Sequence, residues 1–150
     1  MANSMVLRRD GVLVNLNEVT NIEKSAGSPM IRFWTGVNQS ANWRFDTPEV
    51  RDKYFMKVAQ MIGAKNLEPY TSLCEDERFD LTGPVDFVIC QSGAKIVNLN
   101  KVCNVDVLAN TGIRLWFSNN QNILLRCDKN KYDIIFENLM KAFVSSTDVK

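Results

Sequence analysis

Apolar and polar positions follow two periods along this chain. Val12, Val14 and Leu16 share one parity and Leu13 and Asn15 the other, which predicts a strand turned toward a core. Thr20 to Lys24 continues extended after a kink at Asn17-Glu18. Met30–Thr35 and Ala41–Phe45 read as two strands around the polar loop 36–40, a hairpin. Thr47-Pro48-Glu49 then opens a helix, because Thr can cap free amide groups and Pro is tolerated at the first helical position. Val50, Tyr54, Val58 and Met61 recur at helical spacing, and Gly63 is the stop.

The same order returns further on. Phe87–Cys90, Lys95–Leu99 and Val102–Leu108 read as strands, with turns at Ser92-Gly93 and 109–112. Ile113–Ser118 and Asn122–Cys127 form a second hairpin. Asp128 is the expected cap of a helix whose apolar stripe is Tyr132, Ile135, Phe136, Leu139 and Phe143. The tail from Ser145 should fray.

The residues repeat as well as the periods. Val14-Asn15-Leu16-Asn17-Glu18-Val19-Thr20-Asn21-Ile22 returns 83 positions later as Val97-Asn98-Leu99-Asn100-Lys101-Val102-Cys103-Asn104-Val105, with six of nine positions identical. At an offset of 82, Ile31-Arg32-Phe33-Trp34 matches Ile113-Arg114-Leu115-Trp116, Asn38-Gln39 matches Asn120-Gln121, and Arg44-x-Asp46 matches Arg126-x-Asp128. Matches in one order with one gap predict a tandem duplication. Residues 1–66 are the first repeat of four or five strands and a helix, 67–83 a linker, and 84–150 the second repeat. The fold class is α+β: curved antiparallel sheets with one C-terminal helix per repeat. A unit this small buries too little surface to stand comfortably alone, so the repeats should pair as a pseudo-twofold intramolecular dimer.

Charge follows the same division. The chain of 150 residues has a net charge of +1. Residues 1–66 contribute +3, the connector 67–83 contributes −4, and 84–150 contribute +2. Two mildly basic repeats flank an acidic linker. No apolar run approaches the roughly 20 residues of a membrane span. Met1 to Arg9 lacks the pattern of a signal peptide, so the cytoplasm is the default compartment.

Composition removes several chemistries. There is no histidine, hence no Ser-His or Cys-His nucleophile pair and no imidazole base. No carboxylate pair stands out and no glycine loop could cradle a phosphate. Cys74, Cys90, Cys103 and Cys127 are scattered without a Cys-x-x-Cys pair, which argues for free thiols rather than zinc. The sequence predicts neither an enzyme nor a cofactor.

Strand parity picks out the candidate site. Arg32 and Trp34 share the face opposite Ile31 and Phe33, and Arg44 joins them from the next strand. Arg114, Trp116 and Arg126 follow by the same argument. An Arg-Trp-Arg cluster suits single-stranded DNA or RNA, with indoles stacking on bases and guanidinium groups holding phosphates. Packing of Trp34 and Trp116 where the repeats meet, under the Arg stems, is the competing reading. Arg8 and Arg9 could extend a basic rim. The repeated Asn15, Asn17, Asn21, Asn98, Asn100 and Asn104 read as turn and bulge chemistry before base readers.

The order of strands then helix, doubled in one chain, resembles the positive cofactor four, Whirly and Pur-alpha group of single-stranded nucleic-acid binders. Pur-alpha is similar in placing two repeats in one polypeptide. The resemblance is one of architecture. It implies nucleic-acid binding on the sheet face, and Arg32, Trp34, Arg44, Arg114, Trp116 and Arg126 correspond in kind. The leading expectation is a non-enzymatic single-stranded nucleic-acid-binding protein. The alternative is a protein-interaction or structural assembly module, of viral or mobile-element origin, possessing no nucleic-acid site. A pleckstrin-homology-like single domain also ends in a helix, but the duplication argues against it.

Overall fold

The structure, a computed structural model, describes residues 6–9, 11–25, 27–35, 40–66, 85–90, 94–118 and 120–143. The hairpin tip with Asn38 and Gln39, the acidic connector 67–83, the Ser92-Gly93 turn and the tail from Ser145 lie outside the described residues. The fold is α+β and mostly antiparallel.

Strand β1 (Val6–Arg9) and β2 (Val12–Asn15) form a two-stranded hairpin. A 3₁₀ turn over Leu16–Glu18 leads into β3 (Val19–Lys24). Asn15 causes the turn: its Oδ1 accepts the Asn17 backbone N–H at 3.0 Å. The hairpin β4 (Met30–Thr35) and β5 (Ser40–Arg44) follows, then helix α1 (Pro48–Met61). The Thr47 hydroxyl accepts the Val50 amide at 3.2 Å, and Gly63 ends the helix at φ 68°. A two-residue strand β6 (Lys65–Asn66) closes this half.

The second half runs through the same order. It comprises β7 (Phe87–Cys90), β8 (Lys95–Asn98), a 3₁₀ turn over Leu99–Lys101, β9 (Val102–Leu108), β10 (Gly112–Phe117) and β11 (Asn122–Arg126). Asn98 Oδ1 accepts the Asn100 amide at 3.0 Å, the counterpart of the Asn15 bond. Asp128 makes no side-chain cap bond. A further 3₁₀ turn over Lys129–Lys131 leads instead into helix α2 (Tyr132–Ala142).

The strands form three sheets, ordered β5-β4-β3-β8-β7-β6, β11-β10-β9 and β1-β2. The six-stranded sheet joins the two halves through antiparallel β3 and β8, in the register Asn21↔Val97, Ile22↔Ile96 and Glu23↔Lys95. The expected pseudo-twofold is not what this pairing gives. A twofold would match β3 on β8 with β2 on β9. Among the described residues β2 pairs with β1 alone and β9 with β10 alone. The halves meet head to tail.

Two apolar clusters result. One gathers Leu16, Ile22, Ile31, Phe33, Trp43 and Phe55 of the first half, and takes Phe87 and Ile96 from the second. The other gathers Val88, Val97, Leu99, Ile113, Leu115, Phe117, Ile135 and Leu139. The stripe expected on α2 holds: Tyr132, Ile135 and Leu139 are buried, with Phe136 and Phe143 packed alongside. The stripe expected on α1 is displaced. Phe55, Val58, Ala59 and Ile62 face the core, while Val50, Tyr54 and Met61 are exposed. Both sets have helical spacing, and the one turned inward centres on Phe55, which is entirely buried in the first core cluster.

Candidate sheet-face site

The outward face of the six-stranded sheet carries a row of paired polar residues. Lys95, Glu23, Arg32 and Asn42 stand opposite one another on β8, β3, β4 and β5. Directly paired residues in an antiparallel sheet project to the same side. Trp34 lies one rung along, paired with Asn21, and its Nε1 reaches back to donate to Glu23 Oε1 at 2.7 Å. Arg32 Nη1 stands 3.9 Å and Lys95 Nζ 3.6 Å from the same carboxylate. The Arg32 guanidinium sits 5.4 Å from the centre of the Trp34 ring.

The three-stranded sheet repeats this arrangement. Arg114 on β10 pairs with Asp106 on β9, and Trp116 with Asn104. Arg114 Nε donates to Asp106 Oδ1 at 2.9 Å and Nη2 to Oδ2 at 2.7 Å. Trp116 Nε1 donates to Oδ1 at 3.1 Å. The guanidinium lies 4.9 Å from the Trp116 ring centre. The two hydrogen bonds of Arg114 hold the Asp106 carboxyl below its ordinary range, with the Trp116 bond adding and partial desolvation opposing. Asp106 in turn raises the Arg114 pKa.

Arg44 pairs with Met30 and Arg126 with Gly112, each one rung beyond Arg32 or Arg114 on the side away from the tryptophan. Two residues along a strand span roughly 7 Å. Both side chains are exposed. Each sheet thus aligns Trp, Arg and a further Arg along one face. Trp34 and Trp116 are half-buried and belong to neither core cluster. Trp43, of opposite parity, is buried against Phe33 with ring centres 4.8 Å apart.

The carboxylates Glu23 and Asp106 were not singled out by sequence reasoning. They occupy equivalent positions at the 83-residue offset, one residue beyond the end of the repeated block. Extending the match by one position and allowing Glu for Asp would have found them. Their effect is to neutralise part of the Arg charge and fix each indole by its N–H.

Of the repeated asparagines, the buried Asn98 has a structural role. Asn98 Nδ2 donates to the carbonyls of Val19 at 2.8 Å and Leu16 at 3.3 Å, bridging the two halves. Asn100 Nδ2 donates to Asp86 Oδ1 at 2.9 Å. Asn120 adopts a left-handed φ of 66°, as turn chemistry requires. Arg9 reaches from β1 to β5. Its guanidinium donates to the Arg44 carbonyl at 2.7 Å and covers the Phe45 ring at 4.1 Å. Among the described residues no group of three or more Cys, Asp or Glu is placed to hold a metal ion. Burial, then Asp128, pushes the Cys127 thiol up. No helix among the described residues is long and apolar enough to cross a membrane.

No protein-family model matches the chain. No curated protein matches it either. Among solved structures, a LytTr DNA-binding domain of a methyl-accepting/DNA response regulator from Bacillus cereus aligns with it. The alignment covers 93% of this chain and 98% of that one, with 13% identity and a TM-score of 0.49.

Proposed function

We propose that the chain is a tandem duplication that binds single-stranded nucleic acid without catalysis, through the outward faces of β4-β5 and β10-β11. One observation supports this most. The same Trp-Arg-Arg line occurs on both sheets, with each indole held by a carboxylate on the neighbouring strand. A tryptophan fixed by its N–H keeps its orientation, so little conformational freedom is lost when a base stacks on it. Arg32 and Arg114 sit over the indoles and are partly neutralised. Arg44 and Arg126, exposed and one rung away, are the cations for phosphates. With a net charge of +1, binding is modest and strongly salt-dependent.

The test is a tryptophan-fluorescence titration with single-stranded DNA, duplex DNA and single-stranded RNA of one length, at low and moderate salt. Single strands should quench the emission and the duplex should not. Arg44→Ala/Arg126→Ala should weaken binding and reduce the salt slope by about two, one per phosphate contact. Trp34→Phe/Trp116→Phe should abolish the quenching and weaken binding further. Absence of single-strand binding at low salt, where electrostatic attraction is least screened, would defeat the proposal.

A further inference from the structure

The junction between the halves is used once inside the chain, yet both of its surfaces occur twice. At the used junction β3 meets β8: Ile22 lies opposite Ile96, and both are fully buried. Glu23 faces Lys95, and the Lys24 amide donates to the Ala94 carbonyl at 3.0 Å. Asn98 crosses to the Leu16 and Val19 carbonyls. At the 83-residue offset, β9 takes the place of β3, and β2 takes the place of β8. Among the described residues each has only one neighbouring strand.

Exposure marks these as a matching pair of open surfaces. Leu13, equivalent to Ile96, is 64% exposed. Cys103 and Asn104 are exposed where their counterparts Thr20 and Asn21 are buried. Val107, equivalent to Lys24, is 41% exposed. The division of side chains on β2 also follows that on β8. Val14 and Leu16 pack into their own half's core, as Val97 and Leu99 do. Ile96 goes into the other half's core, and Leu13, its counterpart, has no such place in this chain.

We infer that a second copy of this chain is the missing neighbour: β9 of one molecule pairs antiparallel with β2 of the next. The internal register, carried over, places Asn104 opposite Val14, Val105 opposite Leu13 and Asp106 opposite Val12. Asn15 takes the role of Asn98 toward the carbonyls of Leu99 and Val102. The joined sheet has the order β11-β10-β9-β2-β1 and reproduces β5-β4-β3-β8-β7. The contact is heterologous, so successive molecules form an open chain or close into a ring. The edges also lack protection. Neither β2 nor β9 contains a proline or a lysine, and Asp106, the one acid, is engaged by Arg114. This inference uses the repeat correspondence and is independent of nucleic-acid binding.

The experiment is sedimentation velocity across a wide concentration range, without nucleic acid. The wild type, Leu13→Lys and Cys103→Lys are run alone, and the two variants are then mixed. Both substitutions fall on exposed positions whose counterparts, Ile96 and Thr20, are buried. The wild type should sediment as dimers and larger species as concentration rises, and each variant as a monomer. Leu13→Lys keeps an intact β9 and Cys103→Lys an intact β2. Their equimolar mixture should restore one junction and give a species of twice the monomer mass and nothing larger. Only folded variants can complement one another, so a mixed dimer also establishes that both fold. A wild type that stays monomeric, variants that associate like the wild type, or folded variants that fail to complement would each overturn the inference.

Discussion

Arg114 grips Asp106 with two hydrogen bonds, at 2.9 and 2.7 Å, whereas Arg32 in the matching position stands 3.9 Å from Glu23. The difference follows from what else shares each carboxylate. Glu23 also receives Lys95 across the junction. Asp106 has no described strand on its other side, since β9 pairs with β10 alone among the described residues.

The Asp106 carboxyl titrates below its usual value of 3.8 because of the Arg114 bonds. A depressed folded-state pKa contributes stability that is fully present above the unfolded value and is lost as pH falls through the folded one. Asp106→Asn should therefore lower the melting temperature at neutral pH. The gap to the wild type should close as pH falls below 3.8 and through the lowered value. Melting curves from pH 7 down to the acid limit check this; a gap that widens in acid would contradict it.

Asn98 and Asn15 hold the same position of the repeated motif in different surroundings. Asn98 is buried and bridges to two carbonyls of the other half, while Asn15 is exposed. Asn98→Ala should destabilise the chain by about 1–3 kcal/mol more than Asn15→Ala, because it removes the buried donor from two carbonyls. Urea unfolding of dilute samples measures the difference, and equal costs would remove the bridge's importance.

Helix α1 offers a similar contrast. Phe55 is fully buried and Val50 is 39% exposed. Phe55→Ala should cost about 3–5 kcal/mol, and Val50→Ala within about 0.5 kcal/mol. Thermal melts of the two variants would show at once whether the helix is turned as described.

Gly112 begins β10 where β11 passes closest. A Cβ there would collide with the Leu125 carbonyl oxygen and lie 3.0 Å from the Arg126 Cα, both backbone atoms that cannot swing aside. Gly112→Ala should cost about 1–3 kcal/mol through overpacking. It should also shift the amide signals of Leu125 and Arg126 in a heteronuclear NMR spectrum. An unperturbed β11 would mean that the strands separate freely.

Strand parity was legible from sequence because adjacent side chains alternate strictly across a sheet. Ile31 and Phe33 face inward, and Arg32 and Trp34 outward, as their alternation implies. The rotation of α1 was not. Its exposed Val50, Tyr54 and Met61 are apolar, so two overlapping stripes compete, and the choice depends on the sheet beneath. Nor could residues alone give the placement of the halves. Ile22 and Val105 look equivalent, and only strand pairing shows that one is sealed by Ile96 while the other lies on an open edge. The carboxylate partners of the tryptophans are non-local contacts, eleven residues apart for Trp34 and ten for Trp116. Local spacing rules do not reach that far.

Three residues separate helix α1 from Lys65–Asn66, which the chain lays parallel against β7, with Lys65 opposite Val88 and Asn66 opposite Ile89. So short a strand adds little to cohesion, yet it occupies the border where another sheet could otherwise zip on. An exposed lysine there acts as a gatekeeper. Lateral thickening into an aggregate is thereby discouraged along that border. Replacing Lys65 with an apolar residue would trade a controlled surface for an adhesive one.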